Sequence, residues 1–104
     1  MKTVIETPTF IKTSRKIWSE DEIDELIEYV SKNSNAGEVI PHAKGLRKLR
    51  WGNQHSGKRG GNRVIYINIL NDKVILLLAY KKAKKKTTTP SDLKTILNEL
   101  NNDQ

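Results

Sequence analysis

The sequence contains no cysteine and only two histidines, which excludes several common kinds of functional site. A chain without cysteine has no disulfide framework, no zinc–thiolate cluster and no thiol nucleophile, and neither histidine has a partner at the spacing of a zinc site. No apolar run approaches the roughly 20 residues that cross a bilayer, and the first residues lack the apolar stretch of a secretion signal. We therefore expect a cytoplasmic protein that needs no metal ion, no cofactor and no membrane.

Acidic residues are scarce in one long segment, and this scarcity is the strongest functional signal in the composition. The 104 residues carry a net charge of +7, and their number fits one domain, 1–104, with a single modest core. Residues 42–86 contain thirteen Lys or Arg and one acid, Asp72, whereas both flanking segments are net acidic. A surface whose charges serve only solubility mixes positive and negative side chains. The segment therefore favours an anion-binding surface, with nucleic acid as the expected partner.

Helix starts are marked by capping residues. Thr7 followed by Pro8 is typical of an N-cap with proline at the first helical position. Ser19 and Glu22 form a capping box ahead of an apolar stripe at helical spacing. With a similar signal at Thr89-Pro90, the sequence predicts three helices.

Strands are indicated by β-branched and apolar runs. The run at 73–80 is almost wholly apolar and predicts a strand buried on both faces. The preceding run at 63–70 is expected to pair with it antiparallel through a tight turn at Asn71-Asp72. With further strands at 3–6 and 46–51, the prediction is an α+β protein in the order β-α-α-β-β-β-α.

A glycine-rich basic loop separates two of the predicted strands. Gly52, Gly57 and Lys58 match most of a phosphate-binding loop, but Arg59 follows where that motif needs a hydroxyl for magnesium. Because a strand rather than a helix comes next, we exclude a nucleoside-triphosphate site. Two interpretations stay open: a loop whose amides and cations meet phosphates, with His55 as an alternative general base, or a loop that is merely soluble.

Alternation along the predicted strands gathers cations on one surface of the sheet. Lys48 and Arg50 share one face of their strand and Arg47 lies on the other, while Arg63 begins the next strand and Tyr80 ends the last. Such a surface suits metal-free RNA cleavage. There the 2′-hydroxyl is the nucleophile, and the protein lowers the pKa of that hydroxyl, neutralises the phosphorane and protonates the leaving oxygen. The alternative is a face that binds RNA or DNA without cutting it.

Three stretches of the basic segment resemble the HigB-like branch of the RelE/ParE toxin superfamily. They are Gly45-Leu46-Arg47-Lys48-Leu49-Arg50, Gly57-Lys58-Arg59-Gly60-Gly61-Asn62-Arg63-Val64-Ile65-Tyr66 and Tyr80-Lys81-Lys82. The resemblance extends over about residues 38–100. It implies a RelE-like fold, with a small antiparallel sheet flanked by helices. It also implies a type II toxin that cleaves mRNA on the ribosome and inhibits translation, and a cognate antitoxin partner, HigA-like with a helix-turn-helix.

The resemblance also implies roles for individual side chains. A metal-independent endoribonuclease of this kind is expected to use as catalytic residues Arg63, Lys82, Lys48, Arg50 and Tyr80. Contacts to RNA or the ribosome are expected from Arg47, Lys58, Arg59, Lys81, Lys84, Lys85 and Lys86. At Ala83 and Lys84 the sequence departs from the family, which has an arginine or asparagine followed by an acid. The general acid and base therefore stay open, with Lys82 or Lys84 as candidates.

Two other functions stay open on the sequence alone. A protein of the same fold can bind nucleic acid or the ribosome without catalysis, with Trp51 and Tyr66 either stacking on bases or belonging to the core. A ParE-like member inhibits gyrase, although the basic loop and strand cations favour RNA. The acidic helix that begins at Ser19 is expected to support the sheet, away from phosphate.

Overall fold

The computed structural model describes residues 2–52, 61–69, 72–82 and 90–102. Within these ranges, three helices pack on one five-stranded sheet with the strand order β1-β5-β4-β3-β2. The α+β class predicted from the sequence is confirmed. The elements in chain order are β1 (Thr3–Glu6), α1 (Pro8–Ser14), α2 (Glu20–Lys32), β2 (Glu38–Val39), β3 (Leu46–Trp51), β4 (Asn62–Ile69), β5 (Lys73–Lys81) and α3 (Pro90–Asn102).

Two details of the sheet differ from the predicted arrangement. The pair β1–β5 is parallel, with Thr3 opposite Lys73, whereas the other three strand pairs are antiparallel. The structure also contains β2, which has only two residues and pairs with β3. Apolar periodicity does not encode the direction of pairing, and a strand of two residues is too short to show any period. The sequence therefore could not predict either the parallel pairing of β1 with β5 or the presence of β2.

Helix α1 is attached to β5 at its first turn, as the Thr7-Pro8 signal predicts. The Thr7 hydroxyl accepts a hydrogen bond from the Phe10 amide at 3.2 Å and donates one to the Leu76 carbonyl at 2.9 Å. Near the end of the helix, the Ala79 amide donates to Oγ1 of Thr13 at 3.0 Å. The side chains of both turns thus connect the helix to the same strand.

The capping box that begins α2 is present as predicted. The Glu22 amide donates to Oγ of Ser19 at 3.2 Å, and the Ser19 amide donates to the Glu22 carboxylate at 2.9 Å. The apolar stripe of the helix faces the sheet, where Ile23, Leu26 and Val30 are fully buried. The helix therefore supports the sheet, in agreement with the sequence. None of the described helices is long and apolar enough to cross a membrane.

Apolar side chains form one core on each face of the sheet. The first core joins α1 and α2 to the sheet and includes Phe10, Ile23, Leu26, Val30, Leu49, Val64, Tyr66, Val74 and Leu76. The second lies on the opposite face, beneath α3, and includes Leu46, Ile65, Ile67, Leu77, Tyr80 and Ile96. Because both faces are covered, β4 and β5 are largely buried, as the apolar run of β5 predicts.

Arg15 connects the end of β1 to the start of α2. Its guanidinium donates to the carboxylates of Glu6 and Glu20, the latter through Nε at 2.8 Å. The hydrogen bond from Arg15 lowers the pKa of the Glu20 carboxyl from its ordinary value. The contact joins β1 to the first residue of α2.

Candidate active site

A cleft of about 370 Å³ opens on the sheet face that carries the second core. Its lining contains all five side chains that the resemblance marks as catalytic, which are Lys48, Arg50, Arg63, Tyr80 and Lys82. Glu38, Ala36 and Leu49 complete the lining. The cleft thus combines four cationic side chains, one phenol and one carboxylate.

Strand register explains why residues distant in the sequence meet here. Arg50 lies opposite Arg63 in the β3–β4 pair, and Arg63 lies opposite Tyr80 in the β4–β5 pair. Side chains that are paired across strands share one face of the sheet. Lys48 is two residues before Arg50 on the same face, and the Lys82 amide donates to the Gly61 carbonyl at 3.4 Å next to β4. Strands β3 and β4, together with the residue that follows β5, therefore present their cations to one cleft.

Burial divides the cleft into an inner wall and an outer rim. Arg63 and Tyr80 are 9% and 8% exposed, whereas Arg50 and Lys82 are exposed. No carboxylate of the described residues forms an ion pair with Lys48, Arg50 or Lys82. Like charges that lie directly opposite across strands repel one another. Arg50 on the exposed rim therefore favours an anionic ligand in the cleft.

Not every predicted residue lies in the cleft. Arg47 lies on the opposite face of β3, as alternation predicts, and its guanidinium donates to the carbonyls of Asn35 at 3.2 Å and Gly37 at 2.7 Å. Lys81 is exposed at the end of β5 and is not part of the lining. The other residues predicted to contact RNA or the ribosome lie outside the described residues, and they are Lys58, Arg59, Lys84, Lys85 and Lys86. Ala83 and the alternative base His55 also lie outside the described residues. The role proposed for Arg47 in RNA binding therefore lacks support from its position.

Glu38 is a cleft residue that the sequence did not indicate. It lies on β2 opposite Lys48 and contributes the only carboxylate among the described lining residues. In the sequence Glu38 belongs to the net acidic segment that precedes the basic one. The only signal in the sequence was that Glu38 lies shortly before the cations of β3 along the chain. Its pairing with Lys48 could not be inferred because β2 was not predicted.

The turn that precedes β2 is held by side chains from the sheet. The phenol of Tyr66 is fully buried, donates to the Ser34 carbonyl at 2.7 Å and accepts from the Gly37 amide at 2.9 Å. Nδ2 of Asn68 donates to the same Ser34 carbonyl at 3.0 Å. A Cβ atom at Gly37 would lie 2.9 Å from the Tyr66 ring, so this close approach requires glycine. Tyr66 is therefore a core residue and is not available to stack on bases.

Removal of the buried phenol is expected to destabilise the fold. Tyr66→Phe leaves the buried Gly37 amide without its acceptor and removes one of the two donors to the Ser34 carbonyl, which costs about 1–3 kcal/mol of the free energy of unfolding near neutral pH. Burial raises the pKa of Tyr66 above its ordinary 10.0. The stability linked to this raised pKa is present below pH 10 and is lost as the pH rises through the folded-state value. The difference in the free energy of unfolding between the unmodified protein and Tyr66→Phe should therefore narrow above pH 10.

Urea denaturation at pH 7 and at alkaline pH tests this prediction. Tyr29→Phe is the matched control, because Tyr29 is 38% exposed and the centroid of its ring lies 5.2 Å from that of the Trp51 ring. If Tyr66→Phe and Tyr29→Phe change the free energy of unfolding equally, the two hydrogen bonds of Tyr66 contribute no stability.

Comparison with known proteins identifies a solved structure with a similar architecture. No model of a protein family matches the sequence. Among solved structures, the free state of the E. coli toxin RelE, in a variant that has two arginines replaced by alanine, aligns with a TM-score of 0.57. The alignment covers 82% of this chain and 87% of that chain at 16% sequence identity. The protein therefore has a RelE-like fold.

Proposed function

We propose that the protein is the toxin of a type II toxin-antitoxin system, a ribosome-dependent endoribonuclease that cleaves translated mRNA in the cytoplasm. The observation that carries the proposal is the meeting of Arg50, Arg63 and Lys82 with Tyr80 in one cleft. A structural relative with the same fold is described as a toxin, which supports the same class of function. The motifs shared with the HigB-like branch favour that subtype.

The cleft has the groups that metal-free cleavage of RNA needs. The ribose 2′-hydroxyl attacks the adjacent phosphorus and loses its proton to a base. The bond from phosphorus to the 5′-oxygen then breaks, and that oxygen takes a proton from an acid. The products are a 2′,3′-cyclic phosphate and a free 5′-hydroxyl. Arg50 and Arg63 stabilise the added negative charge on the phosphorane, and Lys82 or Tyr80 at the end of β5 supplies the proton.

The same cleft suggests how an antitoxin would neutralise the protein. We propose a cognate antitoxin, HigA-like with a helix-turn-helix, as the partner. A bound protein that covers Arg50 and Lys82 on the exposed rim would exclude RNA from the cleft. A partner of sufficient bulk elsewhere on the surface would keep the toxin out of the ribosome. Both modes prevent cleavage.

Mapping of mRNA ends after induced expression tests the proposed function. The expected result is growth arrest with new mRNA 5′ ends inside translated reading frames, and these ends disappear when translation initiation is blocked. Growth arrest without new ends would indicate a module that binds nucleic acid or the ribosome without catalysis. DNA-damage signals in place of mRNA cleavage would indicate a gyrase inhibitor. Either of the last two results contradicts the proposal.

RNA binding by the purified protein is expected to weaken steeply with salt. Four cationic side chains line the cleft, and each phosphate contact to a single strand contributes about −0.7 to the slope of log K against log salt. Four contacts give a slope of about −3. Fluorescence titration of a short single-stranded RNA between 50 and 200 mM salt, concentrations across which such effects are large, measures this slope. A slope near zero would show that the cleft cations do not contact phosphate.

A further inference from the structure

We infer that Glu38 is the group that accepts the proton of the attacking 2′-hydroxyl. This inference rests on the proposed function and deepens it, because the residues named by resemblance left the general base unassigned. It starts from the cleft lining, in which Glu38 is the only carboxylate of the described residues.

Position is the first reason for the assignment. Glu38 lies opposite Lys48 in the β2–β3 pair and lines the same cleft as Arg63 and Tyr80. Strand β2 is the edge of the sheet, whereas Tyr80 and Lys82 come from the end of β5 on the other side of β4 and β3. A phosphodiester that is held by Arg50 and Arg63 therefore has the carboxylate on one side and the proton donors on the other. Metal-free cleavage needs this arrangement, because proton acceptor and proton donor act on oxygens at opposite sides of the phosphorus.

Chemistry is the second reason. The other polar side chains of the cleft are four cations and one phenol, which are Lys48, Arg50, Arg63, Lys82 and Tyr80. An ionised carboxylate only accepts hydrogen bonds, whereas lysine and arginine only donate them. Glu38 is exposed, and no ion pair in the described part of the chain involves it. It is therefore the side chain of the cleft whose chemistry suits it to accept the proton of the 2′-hydroxyl.

The backbone that carries Glu38 is held in place from the sheet. The Gly37 amide donates to the Tyr66 phenol at 2.9 Å, and the Gly37 carbonyl accepts from Arg47 at 2.7 Å. Both polar groups of the residue just before Glu38 are thus bound by side chains from β3 and β4. These contacts add to the backbone pairing of β2 with β3. Arg47, which lies outside the cleft, helps to place a carboxylate inside it.

In the resulting step, a Glu38 carboxylate oxygen takes the 2′-hydroxyl proton as the oxygen–phosphorus bond forms. The bond to the 5′-oxygen breaks, and Lys82 or Tyr80 protonates that oxygen. The proton on Glu38 passes to solvent after product release. No oxidant, reductant or further reactant is needed.

The experiment compares Glu38→Gln, Glu38→Asp and the unmodified protein on mRNA-programmed ribosomes. Single-turnover cleavage is measured across pH, together with RNA binding by the free proteins. Glu25→Gln is the matched control, since it removes the same charge from an exposed position on α2, on the opposite face of the sheet. Circular dichroism verifies that each variant is folded.

We expect Glu38→Gln to lower the single-turnover rate by about 10²- to 10⁴-fold. The pH profile of the rate should also change, and RNA binding should stay equal or become tighter. Glu38→Asp should retain part of the activity because it keeps the carboxylate, and Glu25→Gln should cleave like the unmodified protein.

Two outcomes would overturn the inference, and they can be told apart. If Glu38→Gln cleaves at the unmodified rate with an unchanged pH profile while Arg63→Ala is inactive, Glu38 is not the base and the proposed function stands. If the unmodified protein cleaves no mRNA on translating ribosomes, the proposed function fails and the role of Glu38 fails with it.

Discussion

Replacement of Arg63 with alanine is expected to slow mRNA cleavage severely and to abolish growth arrest while the protein stays folded. Arg63 lies between Arg50 and Tyr80 in the sheet register and is 9% exposed, so its guanidinium lies in the inner wall of the cleft. A guanidinium in such a site donates charge-assisted hydrogen bonds to phosphate oxygens, and those bonds strengthen as charge builds up on the phosphorane. Loss of a preorganised donor of this kind lowers the rate by about 10²–10³-fold.

Single-turnover cleavage on programmed ribosomes measures the effect of Arg63→Ala. Arg63→Lys should fall between the alanine variant and the unmodified protein, because lysine keeps the charge but lacks the planar fork that binds two oxygens. Lys12→Ala removes one positive charge from an exposed position on α1 and should leave the rate unchanged. If Arg63→Ala still arrests growth and cleaves ribosome-bound mRNA, the assignment of the cleft as the active site is wrong.

Replacement of Phe10 with alanine is expected to bring the largest loss of stability. Phe10 is fully buried in the core between α1, α2 and the sheet. Truncation of a buried phenylalanine leaves a cavity and costs about 3–5 kcal/mol, which is a large share of the 5–15 kcal/mol that is typical of a domain. Because α1 is only seven residues long, its place on β5 depends on this side chain and on its hydrogen bonds at Thr7 and Thr13.

Thermal unfolding measures the effect of Phe10→Ala. A domain of this size loses about 4–8 °C in Tm for each kcal/mol, so a decrease of at least about 12 °C is expected. Ile11→Ala is the matched control, since the next residue of the same helix is 44% exposed and its truncation should change Tm little. Equal effects of the two substitutions would show that Phe10 contributes no more to stability than an exposed side chain of the same helix.

Local signals predicted the helices and long strands well. The caps at Thr7 and Ser19 form the hydrogen bonds that their residue types predict, because a cap involves only groups within one helical turn. The apolar run of β5 is largely buried between the two cores, because such a run is stable only where both faces of the sheet are covered. These features depend on residues that are close together along the chain, so they can be predicted directly from the sequence.

The candidate site was predicted in part. Alternation placed Lys48 and Arg50 on one face and Arg47 on the other, and the structure agrees, since Lys48 and Arg50 line the cleft and Arg47 binds the carbonyls of the 35–37 turn. Glu38 was missed because its place depends on a two-residue strand with no period of its own.

Composition, caps and strand alternation thus determined the fold class, the positively charged segment and the face on which each strand cation lies. Tertiary structure decided the parallel docking of β1, the addition of β2 and the placement of Glu38 in one cleft with cations from β3, β4 and the residue after β5. The physical reason is the range of the interactions involved. Helix caps and alternation act over a few residues, whereas strand order and register bring together groups that lie far apart along the chain and depend on packing of the whole molecule.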